Sequence, residues 1–111
     1  MGTKPRAKPE RLAEKLVRIR NAFGLSQSEM WRRLEVEDLI VVKQISAYEL
    51  GKREPSLTIL LQYARLAGVH TEVLIDDALD LPEQLPGTTD HEEIKRKFLG
   101  KNRKTAKKKA R

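Results

Sequence analysis

The strongest structural constraint in the sequence is a helix start at Ser26. Ser26 and Glu29 have the Ser-x-x-Glu spacing of a capping box, in which each side chain accepts a hydrogen bond from the backbone N–H of the other residue. Leu25 and Met30 flank the cap at positions that favour a hydrophobic staple. The sequence therefore predicts a helix that begins at this cap and runs to about Leu34.

Apolar spacing and stop residues predict several more short helices around this one. The expected helices cover residues 12–23, 43–50, 56–67 and 71–75, with an exposed helical piece over 90–99. Ser56 and Thr71 are the expected N-caps of two of them. Gly24, Gly51 and Gly68 follow three of the apolar stripes and are the expected stops. The pattern indicates a bundle of short helices joined by tight turns.

The fourth of these helices, over 56–67, is expected to bury a single apolar face. The inward positions are predicted to be Leu57, Leu60, Leu61, Ala64 and Ala67. Tyr63 is expected to pack with its hydroxyl group at the surface. The core is expected to close before Asp76.

The stretch 35–42 leaves two interpretations open. Its apolar run 39–42 is largely β-branched, which favours a short extended piece. Asp38 could instead cap an earlier start of the third helix. Val41 is expected to share the apolar face of that helix with Ile45.

Charge divides the chain into distinct regions. The net charge is +7; residues 76–93 carry seven acids and no Lys or Arg, whereas residues 94–111 carry ten Lys or Arg and no acid. The basic ends suit a polyanion such as nucleic acid, or are solvated tails with no dedicated partner. The predicted organisation is a flexible basic arm over 1–9, a helical domain over 10–76, and an acidic linker with a basic tail over 77–111.

Several classes of protein are disfavoured. The chain has no Cys, which excludes disulfides and thiolate metal sites, and its two histidines lie apart without metal-ligand spacing. No nucleophile–base pair or Gly-rich phosphate loop stands out. No apolar run reaches the roughly 20 residues of a membrane span, and the N-terminus lacks a secretory signal. We expect no enzymatic activity, cofactor, metal or membrane contact, and a cytoplasmic location; the acidic cluster at 76–80 fits a solvated linker better than a loose cation site.

Two motifs, in this order, resemble the Cro and phage-repressor-like helix-turn-helix family, also called the xenobiotic response element family. They are Gly-Leu-Ser-Gln at 24–27 and Glu-Leu-Gly-Lys-Arg-Glu-Pro-Ser at 49–56. The resemblance covers roughly residues 12–75. It implies an all-α, compact five-helix lambda-repressor-like DNA-binding domain with a flexible C-terminal tail. The implied function is control of transcription by sequence-specific binding of duplex DNA, as a repressor-like homodimer.

The sequence departs from the family pattern at two places. Trp31 stands where the family usually has a small residue that lets the second and third helices cross closely. An insertion lies within Glu37 to Val42. A tryptophan would push the helices apart or point elsewhere, and the longer connection could compensate for it, so the register of the third helix depends on both features.

The third helix corresponds to the recognition helix of the family. Its exposed face offers Lys43, Gln44 and Ala47. Gln44 can pair bidentately with adenine, Lys43 can reach guanine acceptors or a phosphate, and Ala47 can contact a thymine methyl group. Without the family resemblance, the same three residues fit an ordinary solvated helix surface.

Phosphate contacts are expected on either side of that helix. Gln27 and Ser28 lie in the first turn of the second helix, where free N–H groups and the helix dipole favour phosphate. The resemblance implies that Gln27 contacts the DNA backbone or braces the recognition helix. Lys52 and Arg53 follow the recognition helix and are expected to bind phosphates, although a solvated turn is the alternative.

The resemblance also implies a structural ion pair between Arg20 and Glu49, which would orient the helices without reading bases.

Two further functions stay open. One is an antitoxin that binds a partner toxin through its C-terminal segment and regulates its own transcription. The other is an RNA- or ribosome-associated factor, which only the basic tail favours.

Overall fold

The computed structural model describes residues 8–100, and within them the chain forms six helices and no strand. The helices are α1 (Leu12–Ala22), α2 (Gln27–Arg33), α3 (Lys43–Glu49), α4 (Leu57–Ala67), α5 (Thr71–Ile75) and α6 (His91–Lys97). The all-α prediction is confirmed, and α6 corresponds to the helical piece expected over 90–99. Residues 1–7 of the predicted arm and 101–111 of the predicted tail lie outside the described residues.

The predicted capping box is present at the start of α2. The Ser26 hydroxyl accepts from the Glu29 backbone N–H at 3.1 Å, and the Glu29 carboxylate accepts from the Ser26 N–H at 2.8 Å. These bonds lower the pKa of Glu29. Gly24, with φ +66°, ends the preceding segment in the left-handed conformation that favours glycine. Met30 is fully buried and Leu25 packs against the core, so local signals fix this helix start.

The core lies where five helices meet. Helix α1 packs against α3 and α5, α2 packs against α3, and α4 packs against α5. The largest fully enclosed side chains are those of Leu16, Ile19, Met30, Leu34, Val36, Ile45, Ile59, Tyr63 and Leu74. Because α1 and α2 both pack against α3, one face of α3 is buried in the core and the opposite face is exposed to solvent.

The inward face of α4 differs from the prediction. Leu57 is 83% exposed and Leu61 is half-buried, whereas Ile59 and Tyr63 are buried. The Ser56 hydroxyl caps the helix by accepting from the Ile59 N–H at 3.3 Å. The inward stripe therefore begins at Ile59 instead of Leu57.

The placement of Tyr63 was also predicted wrongly. Its side chain is fully buried, and its hydroxyl has no hydrogen-bond partner within residues 8–100. Burial, together with the nearby Glu49 carboxylate, raises the pKa of the phenol. The buried phenol interacts electrostatically with Glu49 and Tyr48 of α3 and with Arg20 of α1.

Residues 35–42, which we call the connector, form neither a strand nor an early helix. They are a series of turns in which the N–H groups of Leu39 and Ile40 both donate to the Val36 carbonyl, at 2.9 and 3.0 Å. Val41 is 57% exposed and does not share the inward face of α3, because that helix begins at Lys43 after an N-cap at Val42.

The chain after α5 returns to the domain. The Asp77 carboxylate accepts from the backbone N–H groups of Glu10 and Arg11, at 2.9 and 3.0 Å, at the start of α1. These bonds lower the pKa of Asp77. Leu81 is 5% exposed, so the core extends past Asp76, where it was expected to close.

A second contact joins this returning segment to the end of α4. The Gly87 N–H donates to the Ala67 carbonyl at 2.7 Å, and the Thr89 N–H donates to the Gly68 carbonyl at 3.0 Å. The backbones approach so closely that a Cβ added to Gly87 would lie 2.6 Å from the Gly68 oxygen.

The N-cap of α5 differs from the prediction by one residue. Thr71 is the first helical residue, and His70 occupies the N-cap position predicted for Thr71.

Candidate nucleic-acid interface

Helix α3 presents a polar face to the outside. Lys43 is exposed, and Gln44 and Ala47 are half-buried, while Ile45 and Tyr48 on the opposite side are buried in the core. The three side chains proposed to read bases are therefore accessible together. Short polar and apolar groups at the start of a helix are what a major groove can accept.

A hydrogen-bond network fixes the other end of α3. Arg20 donates to the Glu49 carboxylate from Nε at 2.7 Å and from Nη2 at 3.0 Å, and its Nη1 donates to the Leu25 carbonyl at 2.9 Å. The pair is nearly enclosed, with side-chain exposures of 19% for Arg20 and 5% for Glu49. Its hydrogen bonds to Glu49 raise the pKa of Arg20. The network joins α1, the α1–α2 turn and the end of α3.

Gln27 takes part in the same network. Its Nε2 donates to Glu49 Oε1 at 3.0 Å, so its amide group is directed at the recognition helix. Ser28, the next residue, is exposed in the first turn of α2. This hydrogen bond corresponds to the bracing of α3, one of the two roles that the sequence leaves open for Gln27.

Lys52 and Arg53 form the turn after α3. Gly51, with φ +74°, ends the helix, and the N–H groups of Lys52 and Arg53 both donate to the Ala47 carbonyl, at 2.9 and 3.3 Å. Both side chains are exposed. Because their backbone is bonded to α3 itself, their position relative to the recognition face is defined.

One cation beside this turn was not predicted. Lys8 lines a cleft of about 310 Å³ together with Lys52 and Arg53. The sequence places Lys8 in the basic arm, and nothing in its spacing links it to residues more than forty positions away. The Asp77 carboxylate accepts from the backbone N–H groups of Glu10 and Arg11, and so fixes the chain just after Lys8.

Trp31 is bonded to the connector. Its indole Nε1 donates to the Ile40 carbonyl at 2.9 Å. The inserted segment therefore supplies a partner for the tryptophan, while α2 and α3 pack against each other. A second hydrogen bond anchors the chain just before the connector: Gln62 Nε2 donates to the Leu34 carbonyl at 3.0 Å. The sequence alone did not predict this bond.

A helix-turn-helix family model matches residues 16–74, just over half of the chain. The chain belongs to this family of Cro and phage-repressor-like regulators. The match runs from within α1 to within α5 and includes the whole of α3. No curated protein and no solved structure matches the chain.

Membership of the helix-turn-helix family makes the chain a DNA-binding regulator, in a family that is not typically enzymatic. Within residues 8–100, no helix is long and apolar enough to cross a membrane. The same residues contain no group of His, Cys, Asp or Glu side chains arranged to hold a metal ion.

Proposed function

We propose that the protein is a repressor-like regulator that binds one duplex DNA sequence through the exposed face of α3. The observation that carries this proposal is the braced geometry of that helix. Glu49 fixes its end to α1 and α2, and the turn at Lys52 and Arg53 is bonded to its Ala47 carbonyl. A recognition helix held in this way loses little freedom on entering a groove.

The proposed roles follow the exposure of each side chain. Gln44 reads adenine, Lys43 reads guanine or contacts a phosphate, and Ala47 contacts a thymine methyl group. Lys52 and Arg53 bind phosphates and so set the register on the duplex without selecting a base. Ser28 adds a phosphate hydrogen bond at the start of α2.

We further propose that the protein binds as a homodimer in the cytoplasm. One chain carries one recognition helix, and a single short helix reads few base pairs. Two copies related by a two-fold axis would occupy two half-sites about one helical turn, or 10 base pairs, apart.

The proposal is tested by selecting binders of the full-length protein from random duplexes. We expect an enriched sequence with two inverted half-sites and a steep dependence on salt, in which each phosphate neutralised adds about −0.9 to the slope of log affinity against log salt. A salt slope near zero, or no enriched sequence, would contradict the proposal.

The antitoxin function is the second candidate. One observation favours it: Phe98 and Leu99, at the end of α6, are 76% and 40% exposed. An apolar pair there could bind a partner protein. If a toxin-like reading frame lies next to the gene, its product should form a complex with the full-length chain that Phe98→Ala weakens. Absence of a complex would remove the antitoxin function. Preference for RNA over duplex DNA in a competition experiment would instead favour an RNA- or ribosome-associated factor.

A further inference from the structure

The connector carries two exposed apolar side chains directly before the recognition helix. Leu39 is 59% exposed and Val41 is 57% exposed, and α3 starts two residues after Val41. A single exposed leucine on a protein surface needs no explanation. Here, however, two exposed apolar side chains directly precede, in the chain, the helix whose face is proposed to enter the major groove.

The connector is anchored at several points. The bond from Gln62 to the Leu34 carbonyl, at 3.0 Å, fixes the chain just before it, and Val36, its second residue, is fully buried. The bond from Trp31 fixes the Ile40 carbonyl at 2.9 Å, and the Gln44 N–H donates to the Val41 carbonyl at 3.0 Å. The backbone on both sides of Leu39 and at Val41 is therefore held in place, which lowers the entropy lost on binding.

The charges of the connector indicate which part of DNA it could contact. Glu35, Glu37 and Asp38 are all exposed acids, and they would be repelled by phosphates. The connector is thus poorly suited to lie along the sugar–phosphate backbone. Its apolar pair suits the one apolar group that base edges offer in the major groove, the 5-methyl group of thymine.

We propose that the connector is a second base-reading element, in which Leu39 and Val41 contact thymine methyl groups beside the bases read by α3. The inference rests on the DNA-binding function proposed above and extends the readout beyond the recognition helix. In this arrangement Trp31 is a positioning residue, because it holds Ile40 between the two contacting side chains.

The test uses the full-length protein and its selected duplex, in which each thymine is replaced in turn by deoxyuridine. This replacement removes only the methyl group. The wild-type protein should lose about fourfold in affinity at one or two thymines that flank the α3 contacts, since burying one methyl group is worth about that factor. Leu39→Ala or Val41→Ala should bind the thymine duplex about fourfold more weakly and show no further loss with deoxyuridine.

Leu57→Ala is the matched control, because it also removes an exposed leucine side chain, at the start of α4 and outside both the connector and α3. It should keep the full difference between thymine and deoxyuridine. The proposal is overturned if both connector variants also keep that difference at every position. It is equally overturned if they weaken the selected and a scrambled duplex alike.

Trp31→Phe tests the positioning step, since it keeps an aromatic ring and removes only the N–H donor to Ile40 and part of the ring. It should lose the same thymine preference while its circular dichroism spectrum stays native. A native Trp31→Phe protein with unchanged preference would contradict the anchoring on which the proposal depends.

The outcomes separate this inference from the function on which it rests. If Gln44→Ala lowers the preference for the selected duplex and the connector variants do not, the inference fails and the proposed function stands. If no duplex is selected by the wild-type protein, the proposed function itself fails.

Discussion

The ion pair between Arg20 and Glu49 allows the bracing of α3 to be measured as a coupling free energy. We consider the variants Arg20→Met and Glu49→Met, each alone and both together. Removing one partner of an enclosed ion pair strands the other charge, at a cost of about 3–5 kcal/mol. We take about 3 kcal/mol for each single variant, because Arg20 retains 19% of its side-chain exposure and is partly hydrated. Arg20→Met should cost at least as much as Glu49→Met, since Glu49 is only 5% exposed when stranded.

The double variant strands no charge. It loses the bond from Arg20 to the Leu25 carbonyl and the bond from Gln27 to Glu49, at about 1–1.5 kcal/mol each. Its total cost should therefore be about 2–3 kcal/mol, half or less of the roughly 6 kcal/mol expected from additive effects. The coupling free energy is then about 3–4 kcal/mol.

Urea unfolding of the four proteins, followed by far-ultraviolet circular dichroism, gives these values. The fluorescence of Trp31, the single tryptophan, provides a second probe of the same transition. Additivity within about 0.5 kcal/mol would refute the reasoning, because two groups that do not interact in the folded state contribute independently.

Three further predictions concern the core, the returning segment and the tail. Tyr63→Phe removes a buried hydroxyl that has no partner in the described part of the chain, so thermal unfolding should show unchanged stability or a gain of up to about 1 kcal/mol. A loss above about 1 kcal/mol would mean that the hydroxyl is bonded. Gly87→Ala forces a Cβ against the Gly68 oxygen and should lower the free energy of unfolding in urea by about 2 kcal/mol or more. Gly24→Ala is the control, because Gly24 has a positive φ but open space around it, and it should cost about 1 kcal/mol. The reverse order would argue against the close backbone contact at Gly87. Removing residues 94–111 changes the net charge from +7 to −3 and should leave the unfolding temperature nearly unchanged. It should lower the affinity for the selected and the scrambled duplex alike and flatten the dependence of affinity on salt. Unchanged binding to both duplexes would show that the tail makes no DNA contact.

The elements with local signals were predictable from the sequence. The capping box at Ser26 and Glu29, and the positive-φ glycines after two of the first three helices, depend on residues only a few positions apart. The face of α3 followed from its spacing once the family motifs had set the register. These features need no knowledge of the rest of the chain.

Long-range contacts could not be predicted in the same way. The Asp77 carboxylate meets the start of α1 across 66 and 67 residues, and no local pattern distinguishes it from the neighbouring acids. Tyr63 illustrates a different failure, since buried tyrosines usually bond their hydroxyl and this one does not. The connector escaped prediction because its conformation depends on Trp31 and Gln62, which lie outside it.

The central claim is that α3 reads bases while the turn at Lys52 and Arg53 binds phosphates. The most direct measurement compares the affinities of Gln44→Ala and Arg53→Ala with wild type on the selected duplex and on a scrambled one. Gln44→Ala should lose roughly 1–3 kcal/mol on the selected duplex only, and Arg53→Ala should weaken binding to both duplexes alike. Equal losses on both duplexes for Gln44→Ala would contradict the proposed recognition face.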